Sequence, residues 1–170
     1  MSNSVLVTYA SSYGSTREVA EAVAETLRAC GFTVDSLPVK QVRDIDRYNG
    51  IVLGAPLYMF HWHKQATGFL ARNRQALSNH PAAVFALGPI TPGNEAKEFP
   101  EARAMLDKEL AKFPWFHPIT VEMFGGKIDP THLRFPFSMF MKEVPAADLR
   151  DWDAIRRWAA DLPPQMITTH

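Results

Sequence analysis

The feature that most constrains the fold is a series of short apolar runs separated by segments of helical periodicity. The runs are VLVTYA from Val5, FTVDSLPV from Phe32, IVLGAPLY from Ile51, AAVFALG from Ala82 and ITVEMF from Ile119. Strands that show little polar alternation are covered on both faces, as in a parallel sheet flanked by helices. Thr16–Cys30 (TREVAEAVAETLRAC) sets Val19, Val23 and Leu27 on one stripe and turns Glu18, Glu21, Glu25 and Arg28 to water. Gly31 then ends that helix. Further helices are expected over about 64–77 and about 95–112, the second entered or interrupted near Pro100, and a last one from Asp148 with Leu149, Trp152, Ile155, Trp158 and Ala159 as its stripe. The alternation predicts an α/β fold: one domain over 1–170, built on a doubly wound five-stranded parallel sheet of order 2-1-3-4-5. One segment breaks the pattern, a Phe- and Met-rich insertion after strand 5 (GGKIDPTHLRFPFSMFMKEVP, Gly125–Pro145).

Composition narrows the partners. Lys plus Arg and Asp plus Glu both number 18, so no net field draws the chain to nucleic acid. The single cysteine, Cys30, excludes an internal disulfide and is expected to be an inert packing residue on the first helix. The N-terminus lacks the basic start and cleavage site of a signal peptide, and no apolar run approaches the roughly 18 residues that span a bilayer. A cytoplasmic protein is expected, soluble or at most membrane-associated.

In a sheet of this order, ligands sit beyond the carboxyl ends of strands 1 and 3. The loop after strand 1, SSYGST, holds five hydroxyl side chains in six residues and runs straight into a helix. The first amides of that helix lack intrahelical partners and carry the positive end of its dipole, so an anion belongs there. The loop has no GK[ST] ending for a nucleoside triphosphate and no GxGxxG for a dinucleotide, and a single monoester phosphate suits it better. Helix capping and turn formation by Ser11, Ser12, Ser15 and Thr16 is the competing reading of the same residues.

The second loop carries a different message. APLYMFHWHK puts Tyr58, Met59, Phe60 and Trp62 at the carboxyl end of strand 3, where connections normally face water. A helix terminus contributes about 1–2 kcal/mol to anion binding, far short of the roughly 12 kcal/mol of a nanomolar ligand, so a large flat group must supply most of the rest. FMN joins one terminal phosphate to one flat ring. Residues Pro56 to Trp62 and Pro89 to Asn94 are the candidate flanks of that ring, with Tyr58 or Trp62 either stacking on it or anchoring the loop.

At these residues the chain resembles the flavodoxin-like family, and within it the branch of menaquinone-dependent protoporphyrinogen oxidases and related flavodoxin-domain proteins. VLVTYASSYGSTREVAEAV looks like the family's phosphate loop, which implies that Ser11, Ser12, Tyr13, Gly14, Ser15 and Thr16 surround the phosphate of FMN. GAPLYMFHWHKQATGFL looks like the branch's second loop and ALGPITPGN its third, which implies cofactor contacts from Pro56, Leu57, Tyr58, Met59, Trp62, Gly88, Pro89, Thr91, Gly93 and Asn94. FGGKIDPTHLRFPFSMFMK followed by DLRDWDAIRRWA is similar to the branch's insertion and closing helix.

The resemblance implies an FMN-dependent oxidoreductase that passes electrons between an organic donor and a quinone-like acceptor, protoporphyrinogen being one candidate donor. The alternatives are a flavodoxin-type electron carrier, which the neutral charge disfavours, and a non-catalytic interaction module on the same fold. No catalytic side chain is assigned, because flavin supplies the redox chemistry itself. His61 and His63, two apart in HWH with no Cys or Asp nearby, suit a surface or capping role better than a metal. For the insertion, an apolar cover over the ring, a homodimer interface, peripheral membrane contact through Leu133–Lys142 and a satellite core all remain open. Deleting Arg134–Met141 is expected to spare FMN binding and abolish turnover with an apolar acceptor; unchanged turnover in a steady-state assay excludes the pocket.

Overall fold

The computed structural model describes residues 3–11, 14–58, 61–88, 90–128 and 146–166. Five parallel strands make the sheet: β1 (Ser4–Tyr9), β2 (Thr33–Pro38), β3 (Gly50–Tyr58), β5 (Ala82–Gly88) and β6 (Thr120–Gly125), in the order β2-β1-β3-β5-β6. Counting only these five, the order is the expected 2-1-3-4-5. A two-residue strand, β4 (His61–Trp62), folds back antiparallel on the end of β3, pairing Leu57 with Trp62 and Tyr58 with His61. A second short antiparallel pair, β7 (Lys127–Ile128) with β8 (Ala147–Asp148), joins the two ends of the insertion.

Strand periodicity divides the core into two layers. Leu6, Ile51, Leu53, Ala55 and Val84 face one side, under α2 (Lys64–Arg72), α3 (Arg74–Asn79) and α4 (Glu95–Leu110). Val5, Val7, Val52, Phe85 and Phe124 face the other, under α1 (Ser15–Ala29) and α5 (Trp152–Ala160), with the one-turn α6 (Pro163–Met166) closing that layer. The stripe Val19, Val23 and Leu27 of α1 is fully buried. That helix ends as expected: the Gly31 amide donates to Arg28 O at 3.0 Å and the Phe32 amide to Leu27 O at 3.2 Å, the paired bonds of a Schellman cap.

Several boundaries differ from expectation. The helix over 64–77 is two helices, parted at Asn73, whose side-chain amide and backbone amide both donate to Phe69 O at 2.9 and 3.1 Å. The side-chain bond shares the Phe69 carbonyl with the last backbone bond of α2 and caps that helix. Pro100 lies inside α4 without ending it. The last helix begins at Trp152, not Asp148, because Asp151 is its N-cap, accepting from the Ala154 amide at 3.0 Å, while Asp148 is in β8. Leu149 consequently leaves the α5 stripe and packs on the opposite layer. Cys30 is exposed and not a packing residue, since it is the C-cap of α1 and stands beyond the buried stripe, which ends at Leu27. Most of the insertion, including Leu133–Lys142, lies outside the described residues.

Gly54 lets the Phe85 ring lie directly against β3 in the layer under α1 and α5. A Cβ there would lie inside the ring of Phe85, which is itself packed edge-on against Trp158 at 5.9 Å between ring centres. Gly54→Ala is expected to lower stability by about 2 kcal/mol or more through overpacking. Urea unfolding checks this: the midpoint falls and the slope is unchanged.

Candidate functional site

Because the strands are parallel, the loops after β1, β3 and β5 emerge from one edge of the sheet. The amide of Ala10 donates to Gly54 O at 3.0 Å, which carries the β1–β3 pairing to the last residue before the loop. Gly14 then takes the left-handed conformation (φ 88°), with its amide on Ser11 Oγ at 2.9 Å, and serves as N-cap of α1 without a side-chain cap. A side chain at that φ would be strained. The amides of Ser15, Thr16 and Arg17 are the ones that helix geometry leaves without intrahelical partners, the first closing bond being Glu18 N to Gly14 O at 3.1 Å.

Thr16 is the informative residue of this turn. It is 1% exposed and its Oγ1 has no hydrogen-bond partner, which is costly for a buried hydroxyl. An acceptor arriving at the helix terminus meets that cost together with the open amides. Thr8, one strand earlier, has a similarly unpartnered Oγ1 inside the sheet and is fully buried. A groove of about 470 Å³ along α1, lined by Gly14, Arg17, Glu18, Glu21, Ala22 and Glu25, offers three carboxylates and is no site for an anion.

The ring-flanking candidates separate into core and surface. Pro56 and Leu57 are buried in β3, and Trp62 is 2% exposed with its indole N–H donating to Ala55 O at 3.0 Å. Of the two roles open to it, stacking on a ring or anchoring the loop, Trp62 has the bond and the burial of an anchor. Tyr58 is 37% exposed at the sheet edge, with its ring 6.1 Å from that of His63. His63 is the N-cap of α2, its Nδ1 accepting from the Gln65 amide at 3.1 Å, and burial lowers its pKa from the ordinary histidine value. In the third loop Gly88 is buried, and Gly93 turns at φ 86° before Asn94. Glu98 accepts from both the Thr91 amide and the Asn94 side-chain amide, which holds its carboxyl below the usual range. Ser12, Tyr13, Met59 and Pro89 lie outside the described residues.

A model of the flavodoxin domain matches residues 6–148. The chain belongs to the flavodoxin-domain family. It is 22% identical over 169 residues to the protoporphyrinogen IX dehydrogenase [quinone] of Escherichia coli strain K12, covering 92% of this chain and 93% of that protein. The fold is similar to that of a short-chain flavodoxin associated with a non-canonical PDU bacterial microcompartment (TM-score 0.63, 16% identity, 96% and 99% of the two chains). It is also similar to that of a flavodoxin from the domain Archaea (TM-score 0.59, 15% identity, 96% and 98%). No helix among the described residues is long and apolar enough to cross a membrane.

Two features escaped the sequence reading of this flavodoxin-domain chain. Arg150 folds onto the first turn of α1, where one terminal nitrogen bonds Glu18 and lies 3.4 Å from Ser15 O, while the rest of the guanidinium holds Asp148 at 2.9 and 2.7 Å. No spacing links positions 18 and 150. The second is Glu109 on α4, buried and 3.1 Å from His61 Nδ1, with Lys112 Nζ at 2.8 Å. Burial pushes the Glu109 carboxyl up, but the bonds from Lys112 and His61 outweigh it and leave the pKa below the ordinary value. A depressed folded pKa contributes stability that is present above the unfolded value, about 4.3, and lost as pH falls through the folded one. Glu109→Gln is accordingly expected to be less stable than the parent at neutral pH. The gap should narrow as pH drops below about 4, measured by urea unfolding at several pH values.

Proposed function

We propose that this chain is an FMN-dependent oxidoreductase that passes electrons between an organic donor and a quinone-like acceptor. The observation that carries the FMN part is the buried, unpartnered Thr16 Oγ1 beside the open amides of Ser15, Thr16 and Arg17. Those groups fit a phosphate monoester: several donors converge, and no lysine or metal site is needed to hold a longer phosphate chain. Tyr58, half-exposed at the adjoining strand end, offers the aromatic cover for a flat ring.

Bound FMN would supply the two-electron chemistry. This chain's residues would bind its phosphate at α1, hold the second loop rigid through the Trp62–Ala55 bond and the Glu109–His61 contact, and exclude water from one face of the ring with Tyr58. The enzyme reading and the quinone-like acceptor rest on similarity over nine-tenths of the chain to a protein whose name specifies protoporphyrinogen IX and a quinone. The equality of 18 basic and 18 acidic residues also fits small-molecule partners better than docking by opposite charge.

Replacing Thr16 by Val tests the cofactor assignment. Removing an unpaired buried hydroxyl leaves the flavin-free protein as stable or more so, whereas FMN affinity falls about tenfold with the loss of one charge-assisted hydrogen bond. Fluorescence quenching on FMN titration reads the second effect and thermal unfolding the first. A variant that binds FMN as the parent does removes Thr16 from the site. For the activity, oxidation of protoporphyrinogen and of simpler donors is followed with a menaquinone analogue as acceptor; reduction of a redox protein without turnover of any small molecule would favour an electron carrier.

A further inference from the structure

A carboxylate in the first turn of α1 is at odds with a phosphate there. Glu18 follows Ser15, Thr16 and Arg17 directly, and its charge would repel a dianion arriving at those amides. The structure answers this charge with a residue 132 positions away. Arg150, its side chain 4% exposed, donates from one terminal nitrogen to Glu18 Oε2. Its other edge makes two bonds to Asp148, and its guanidinium carbon lies 4.8 Å from the centre of the Trp152 ring. The cation is fixed on three sides and cannot easily swing away.

The charges around this turn are few among the described residues. Arg17 is exposed beside Glu18, Glu21 points to the Ser36 hydroxyl on β2, and Lys127 acts on Asp148 from the paired strand β7. Among the described residues only Arg150 reaches both the Glu18 carboxylate and the neighbourhood of the Ser15 carbonyl. It also ties α1 to the stretch that returns from the insertion, since Asp148 is paired in register with Lys127.

We propose that Arg150 is a positioning residue for the flavin phosphate: by holding the Glu18 carboxylate against a guanidinium beside the first turn of α1, it weakens the repulsion there and sets the preference for the phosphorylated flavin over riboflavin. This rests on the FMN reading above. The consequence is specific to the phosphate, because riboflavin carries the same ring without the charge.

The test compares FMN and riboflavin dissociation constants by fluorescence quenching in the full chain and its variants. Arg150→Met, which keeps an apolar stem over Trp152, is expected to weaken FMN about tenfold and riboflavin less than about twofold, the effect of one uncompensated nearby charge. The Glu18→Gln/Arg150→Met double variant, which removes the carboxylate nearest the turn together with the guanidinium, is expected to regain most of the FMN affinity. If Arg150→Met does not fold by circular dichroism, Arg150→Gln is read in its place. Equal weakening of both flavins, an FMN loss that persists in the double variant, or no loss at all overturns the proposal. A parent chain that binds riboflavin as tightly as FMN instead overturns the phosphate site itself, and with it the role of Arg150.

Discussion

The pairing of β1 with β3 is the interaction on which the functional edge depends. It runs in register from Val5 opposite Gly50 to Tyr9 opposite Gly54, and the Ala10 amide extends it by one bond. That last bond fixes where the chain leaves the sheet, and four residues later Gly14 opens α1. The direction of the open amides is thus set by strand register. A one-residue slip would invert the strand's faces and put Thr8 and Leu6 where Val7 now meets α1. Gly54 is also where Phe85 crosses beneath β3, so the same residue serves the loop geometry above and the packing below.

Charge is arranged around that terminus with little surplus. The helix presents partial positive charge, Glu18 opposes it, and Arg150 offsets Glu18 while bound to Asp148. The Asp148 pKa is lowered from its ordinary value by this guanidinium, and that of Arg150 is raised. The site's electrostatics therefore depend on a segment 130 residues downstream, on the far side of the insertion. The β7–β8 pair is joined to the first turn of α1 through one guanidinium. On the opposite flank, the second loop is held by Trp62 inside the core and by Glu109 of α4. The two halves of the site are braced by different layers of the molecule.

Much of the fold was legible because its causes are local. Apolar runs at Val5, Ile51 and Ala82 become buried parallel strands, and the stripe Val19, Val23 and Leu27 becomes the buried face of α1. What was missed came from competition or from distance. Asn73 divides a helix by bonding Phe69 O with its own side chain, and Asp151 rather than Asp148 wins the N-cap because Asp148 is engaged by Lys127 and Arg150. For Trp62 the sequence left ring stacking and loop anchoring equally open. Its burial follows from β4 turning back onto β3, a pairing of only two residues with no turn signature in the described sequence. The Arg150–Glu18 and His61–Glu109 contacts join positions that only tertiary folding brings together.

The proposed FMN site turns on a phosphate held at the first turn of α1. Backbone amide spectra of ¹⁵N-labelled protein, recorded with saturating FMN and again with saturating riboflavin, test this directly. The prediction is that Ser15, Thr16 and Arg17 shift strongly with FMN and return close to their flavin-free positions with riboflavin, while the Tyr58 amide responds to both. Equal responses of the three α1 amides to the two flavins, or FMN-specific shifts confined to another part of the chain, would contradict it.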